Sequence, residues 1–224
     1  MVPSDVIGDE LRRDLADRGI LAVLRARSAR LAVAAGRALA EGTVTAIEVT
    51  FTVPDAPLAI ARLAADDSLL VGAGTVLTPD QAAAAVDAGA RFLVSPHLDD
   101  RVLDAADELG VPALPGVLTP TEVARATLRC SLMKLFPASM GGPGLLAALR
   151  GPFPDLAVIP TGGVDSGNLG DWLAAGAIAV GAGTDLCPPA AVDAGDTKAL
   201  RGHAERYAAA LAAARAPGRS DESS

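Results

Sequence analysis

Short apolar runs and Ala-rich amphipathic stretches alternate along this chain almost from end to end. The runs are Ile20–Arg25, Val44–Thr50, Leu69–Gly74, Arg91–Ser95, Val111–Pro115, Leu132–Phe136, Leu156–Thr161 and Ala177–Ala182. Each is short enough for a buried strand, and the stretches between them carry apolar residues at helical spacing. Gly42, Gly89, Gly110 and Gly176 stand where helices would end before the next run. Helix starts are marked as well. Thr78-Pro79-Asp80-Gln81 and Thr119-Pro120-Thr121-Glu122 each put Thr at the cap, Pro in the first turn and an amide or acid three residues after the Thr.

Strands that alternate with helices pair in parallel through right-handed crossovers. Eight such units predict an α/β fold, a single (β/α)8 TIM barrel. Asp5–Arg18 reads as an extra N-terminal helix and Thr197–Arg215 as the final one. An open doubly wound sheet would carry a Gly-rich turn after its first strand. Here Ala26-Arg27-Ser28 follows instead. No linker divides the chain, so residues 1–216 read as one barrel domain and 217–224 as a disordered polar tail.

Composition narrows the function classes. A net charge of −8 argues against nucleic acid and anionic membranes as partners. No apolar run is long and uninterrupted enough to span a bilayer. Cys130 and Cys187 lack metal or redox spacing and read as reduced thiols of a cytoplasmic protein. His97 and His203 are the only histidines, too few and too far apart for a His-rich metal centre, so no metal and no cofactor is expected.

Candidate chemistry lies where polar residues break the apolar pattern near the C-terminal ends of strands. Lys134, inside Leu132-Met133-Lys134-Leu135-Phe136, is one of only two lysines in a chain that otherwise uses arginine. Burial disfavours an ammonium ion, and the neutral amine can attack a ketone to form a Schiff base. A core lysine paired with a carboxylate, or one that snorkels to water, is the structural alternative. Glu48 alternates with Ile47 and Val49 and shares a strand face with Thr50. A structural ion-pair partner and a proton shuttle are both open for it. Arg25 ends the first strand, as a surface arginine or as a clamp for a carboxylate. Thr161-Gly162-Gly163-Val164 and Gly181-Ala182-Gly183-Thr184 end the last two strands, the usual place for a phosphate site in such barrels. Gly72-Ala73-Gly74-Thr75 ends the third strand and offers a hydroxyl.

Taken together, several segments resemble the 2-keto-3-deoxy-6-phosphogluconate (KDPG) aldolase family. They include Ile47-Glu48-Val49-Thr50-Phe51-Thr52, Val71-Gly72-Ala73-Gly74-Thr75-Val76, Val94-Ser95-Pro96-His97, Met133-Lys134-Leu135-Phe136-Pro137, Pro160-Thr161-Gly162-Gly163 and Val180-Gly181-Ala182-Gly183-Thr184. They run in family order from about residue 20 to 187. The resemblance implies a class I aldolase, typically homotrimeric, that cleaves a phosphorylated 2-keto-3-deoxy sugar acid to pyruvate and an aldehyde. By it, Lys134 forms the Schiff base and Glu48 is the general acid/base. Arg25 and Thr75 hold the pyruvate carboxylate, Pro96, Phe136 and Thr161 line the substrate, and Gly162, Gly163, Gly183 and Thr184 hold the phosphate. Many members carry an arginine four residues after the catalytic glutamate, where this chain has Thr52. Asp185, beside the phosphate loop, is expected to point away from it. The galactonate epimer and 4-hydroxy-2-oxoglutarate are alternative substrates. A phosphate-binding isomerase or synthase, and a non-catalytic sugar-phosphate-binding barrel, are the rival functions.

Overall fold

A computed structural model describes residues 4–216. The tail read as disordered lies outside the described residues. Helix α1 (Ser4–Arg18) precedes β1 (Ile20–Leu24), as expected. There follow α2 (Ala29–Glu41), β2 (Ala46–Thr50), α3 (Ala56–Ala64), β3 (Leu70–Gly74), α4 (Pro79–Asp87), β4 (Leu93–Val94) and α5 (Asp100–Leu109). The second half runs β5 (Ala113–Leu114), β6 (Gly116–Val117), α6 (Pro120–Ala126), β7 (Met133–Leu135), a 3-10 turn (Ala138–Met140), α7 (Gly142–Arg150), β8 (Val158–Pro160), α8 (Leu169–Ala174), β9 (Val180–Ala182), α9 (Pro189–Ala194) and α10 (Thr197–Arg215).

Every strand pair is parallel. One sheet has the order β5-β4-β3-β2-β1-β9 and the other β6-β7-β8. The result is an α/β fold with a curled parallel sheet. The fifth apolar run, Val111–Pro115, holds the short β5 and ends at Pro115 as read; a second short strand, β6, follows directly after it. Proline has no N–H to donate to a ladder, although the Pro115 carbonyl still accepts from the Lys134 N–H at 3.0 Å. Between β8 and β9 a single parallel bridge joins Thr161 to Gly181.

Side-chain alternation along the strands separates two buried clusters. Ile20, Ala22, Leu24, Ile47, Val49, Val71, Ala73, Met133, Leu135, Val158 and Val180 belong to the larger one, with the helices. Leu21, Ala46, Leu70, Phe92, Val94, Leu114, Leu132, Ala157, Ile159 and Ala179 form the other, on the concave face. Leu11 and Leu15 of α1 close this cluster from the N-terminal side of the strands. The extra helix is therefore a plug: it covers apolar side chains that the strands alone would leave facing water. Both Thr-Pro helix starts hold. The Thr78 hydroxyl accepts from Gln81 N–H, and Thr119 and Glu122 form a reciprocal capping box.

Candidate active site

Strand alternation brings Glu48 and Lys134 to the same interior. Glu48 lies two residues beyond Ala46, and Lys134 two beyond Leu132, both on the concave face. The two positions are 86 residues apart in sequence, yet Lys134 Nζ is 3.4 Å from Glu48 Oε1. Glu48 has no exposed surface and Lys134 keeps 6%. The other carboxylate oxygen, Oε2, is buried with no hydrogen-bond partner. The pair is thus nearly dry, in long contact, and has one acceptor to spare. A buried carboxylate oxygen without a partner favours a hydrogen-bond donor on whatever enters.

Gly74 makes room for this carboxylate. A Cβ built on Gly74 would lie 2.0 Å from Glu48 Oε1 and 2.4 Å from its Cγ. On the other side, the Phe136 ring centroid is 5.4 Å from Lys134 Nζ. Phe136 also walls the Gly162 turn, where an added Cβ would meet its ring at 3.5 Å. Gly162 and Gly163 adopt φ of +91° and +82°, a region few other residues enter. Their carbonyls are occupied: Ser139 N–H donates to Gly162 O and Asn168 Nδ2 to Gly163 O, each at 2.9 Å. Among the described residues no backbone acceptor takes the N–H groups of Gly162, Gly163, Gly183 or Thr184. Loop donors without a backbone acceptor suit an anion.

Arg25 continues the concave face of β1 past its end and is exposed. Because β1 pairs with β9, its neighbour there is Gly183: a Cβ on that glycine would sit 3.7 Å from Arg25 Nη1. Arg25, Thr52, Gly183, Thr184 and Cys187 line one cavity of about 330 Å³. Arg25 thus stands with one of the two glycine loops, with no hydrogen bond to Glu48 or Lys134. Thr161 is buried, and its hydroxyl lies against Gly181. Thr75 is half-buried with φ of +55°, directly after the glycine that accommodates Glu48. The Pro96 carbonyl packs on Gly116, which pairs with Lys134 in the sheet.

Two buried hydroxyls near strand ends were given no role in the sequence. Thr50, buried, donates to Leu24 O at 3.1 Å and lies 2.6 Å from the Thr52 hydroxyl. Its position two residues beyond Glu48 was the available signal. Ser95 donates to Val76 O at 2.7 Å and is buried. His97 is exposed beside Asp99, and His203 contacts Arg206. Among the described residues no three His, Cys, Asp or Glu side chains gather to hold a metal, and no helix is long and apolar enough to cross a membrane. Both cysteines are free, and burial pushes each thiol up to about 12.

What fold and site define is an α/β protein with a lysine–carboxylate centre at the carboxyl ends of parallel strands. The chain belongs to the KDPG and KHG aldolase family, whose model matches residues 11–202. It is 45% identical over 162 residues to a 2-dehydro-3-deoxy-phosphogluconate aldolase of Pseudomonas aeruginosa, covering 71% of this chain and 74% of that one. A probable 2-dehydro-3-deoxy-6-phosphogalactonate aldolase of Rhizobium meliloti is 38% identical over 186 residues, 81% and 87% of the two chains. Among solved structures, the KDPG aldolase of Legionella pneumophila, with pyruvate captured as a covalent carbinolamine intermediate, superposes with a TM-score of 0.79. It is 29% identical over 92% of this chain and 97% of that one.

Proposed function

We propose that this chain is a class I aldolase that cleaves 2-dehydro-3-deoxy-6-phosphogluconate to pyruvate and glyceraldehyde 3-phosphate. The observation that carries the reading is the buried contact of Lys134 Nζ with Glu48 Oε1 at 3.4 Å. It puts an amine nucleophile beside a proton carrier. The Lys134 amine attacks the C2 ketone and water leaves, giving an iminium. Glu48 takes the C4 hydroxyl proton as the C3–C4 bond breaks. The bonding pair flows into the iminium to form an enamine, and the aldehyde departs. Glu48 then returns the proton to C3, and water hydrolyses the resulting pyruvate imine to free Lys134.

Around this centre, Phe136, Pro96, Thr75 and Thr161 line the pyruvate end, and Gly162, Gly163, Gly183 and Thr184 hold the phosphate. The N–H groups of those loops, free of backbone acceptors, support the phosphorylated substrate. Arg25, beside Gly183, extends the same anion site, while its place on the concave face also suits it to a carboxylate. The same chemistry on the galactonate epimer is the second reading, favoured by the Rhizobium relative. Three further features complete the proposal. The two sheets form one closed eight-stranded barrel, supported by the Thr161–Gly181 bridge and by the continuity of chain through Pro115. The protein works as a homotrimer, supported by the exposed Leu128 and Met140 side chains. It works in the cytoplasm, supported by its two free thiols.

Incubation with pyruvate, borohydride reduction and peptide mapping tests the chemistry. A reduced pyruvate adduct on Lys134 is the expected result. No adduct, under conditions that trap a known class I aldolase, overturns it. Kinetics with both C4 epimers then selects the substrate.

A further inference from the structure

Thr50 and Thr52 form a one-way chain of hydroxyls at the end of β2. Thr50 Oγ1 donates its single proton to the Leu24 carbonyl at 3.1 Å. It lies 2.6 Å from Thr52 Oγ1, where it can then only accept, so the Thr52 proton is committed to Thr50. Thr52 is exposed and lines the cavity of about 330 Å³ with Arg25, Gly183 and Thr184. For a molecule in that cavity, the Thr52 oxygen has only lone pairs to offer. Arg25 and the Gly183 and Thr184 N–H groups, which no backbone acceptor takes among the described residues, are donors. The one carboxylate of the lining, Asp193, is paired with Arg27 at 2.8 Å. The cavity thus sets donors for an anion beside a single hydroxyl fixed as an acceptor.

We propose that Thr52 is a specificity-determining residue that accepts a hydrogen bond from a hydroxyl on the substrate's carbon chain, next to its anionic end. This rests on the aldolase reading. KDPG carries such a hydroxyl at C5, between the C4 hydroxyl that Glu48 serves and the phosphate. 4-Hydroxy-2-oxoglutarate has a carboxylate at C5, with no proton to give at neutral pH. Beside Thr52 that carboxylate meets lone pair with lone pair, or it draws the Thr52 proton away and breaks the 2.6 Å contact with Thr50. The chain of hydroxyls therefore favours the hydroxylated, phosphorylated substrate class over the dicarboxylate.

The test measures kcat/KM for KDPG and for 4-hydroxy-2-oxoglutarate in the parent enzyme, Thr52→Val, Thr52→Ser and Thr50→Val. Thr52→Val keeps the shape and removes the oxygen. The preference for KDPG should fall about fivefold, the worth of one neutral hydrogen bond. Thr52→Ser should keep the parental preference. Thr50→Val leaves Thr52 with an uncommitted proton, so it should gain about fivefold on 4-hydroxy-2-oxoglutarate relative to KDPG. A Thr52→Val enzyme with the parental preference overturns the proposal, as does a Thr50→Val enzyme that folds and keeps it. If Thr50→Val fails to fold, the comparison of Thr52→Val with Thr52→Ser decides alone. Failure of the parent enzyme to trap pyruvate with borohydride would instead overturn the aldolase reading.

Discussion

Replacing Gly74 by alanine adds one methyl group to the tightest point of the site. That carbon would fall 2.0 Å from Glu48 Oε1, 2.4 Å from Cγ and 2.5 Å from Cδ. Carbon and oxygen need more than 3 Å at ordinary contact, so the carboxylate must retreat by more than about 1 Å. The strands cannot spread to absorb this. Thr50 pairs with Gly74 in the sheet, and Phe51 N–H donates to Gly74 O at 2.8 Å. The Glu48 side chain therefore rotates. Its contact with Lys134 Nζ, already 3.4 Å, is lost. Overpacking of this kind costs about 1–3 kcal/mol of stability. A misplacement of about 1 Å in a catalytic group costs about 10²-fold in rate. Gly74→Ala should then fold, still trap pyruvate on Lys134, and lose about two orders of magnitude in kcat for cleavage. Stopped-flow cleavage kinetics and mass mapping of the trapped adduct read both. A folded Gly74→Ala with the parent kcat would refute the placement of Glu48 as proton carrier. Gly72→Ala is the contrast, since its methyl meets the Phe92 ring in the apolar cluster and should damage stability first.

Lys134→Met should abolish turnover and also destabilise the protein by about 3–5 kcal/mol, because Glu48 is left as a lone buried carboxylate. The double variant Lys134→Met/Glu48→Gln should recover part of that loss in urea unfolding. A single variant as stable as the parent would contradict the dry, paired site. Glu48→Gln alone should still form the pyruvate adduct on Lys134 while cleavage slows about 10²- to 10⁴-fold. Thr119→Ala removes the capping hydroxyl of α6 and the reciprocal contact with Glu122. It should cost about 1 kcal/mol, a fall in Tm of about 2–4 °C by calorimetry, with kcat unchanged.

Much of this arrangement was legible because strand parity is a local property. Ile47-Glu48-Val49 already says that Glu48 faces away from two apolar neighbours, and the clusters say that those neighbours face the helices. The Thr-Pro caps were legible for the same reason, since a hydroxyl three residues before a free N–H needs no tertiary context. The short β6 was not read at all, since Gly116-Val117 lies past Pro115, where the apolar run was taken to end. Arg25 shows a different limit. Its closeness to Gly183 follows from β1 pairing with β9, a long-range neighbour that no local pattern contains.

The concave face also explains why the chemistry sits where it does. Read along the strand direction, Leu21, Ala46, Leu70, Leu132 and Ala157 are apolar and covered from below by Leu11 and Leu15. Two residues further on come Glu48 and Lys134, and beyond them Thr50, with Thr161 at the same end of its strand. Strands β2, β7 and β8 thus change from apolar to polar along one face, within a few residues. The apolar half stabilises the fold through burial, which allows the polar half to hold a long, under-satisfied ion pair that adds little stability of its own. Moving Lys134 two residues earlier would put the amine among leucines with no carboxylate in reach. Moving it two later would put it at the rim, where water competes for it. The third position of Leu132–Phe136 is the one from which an amine reaches a buried acid and, in the proposed mechanism, an incoming ketone.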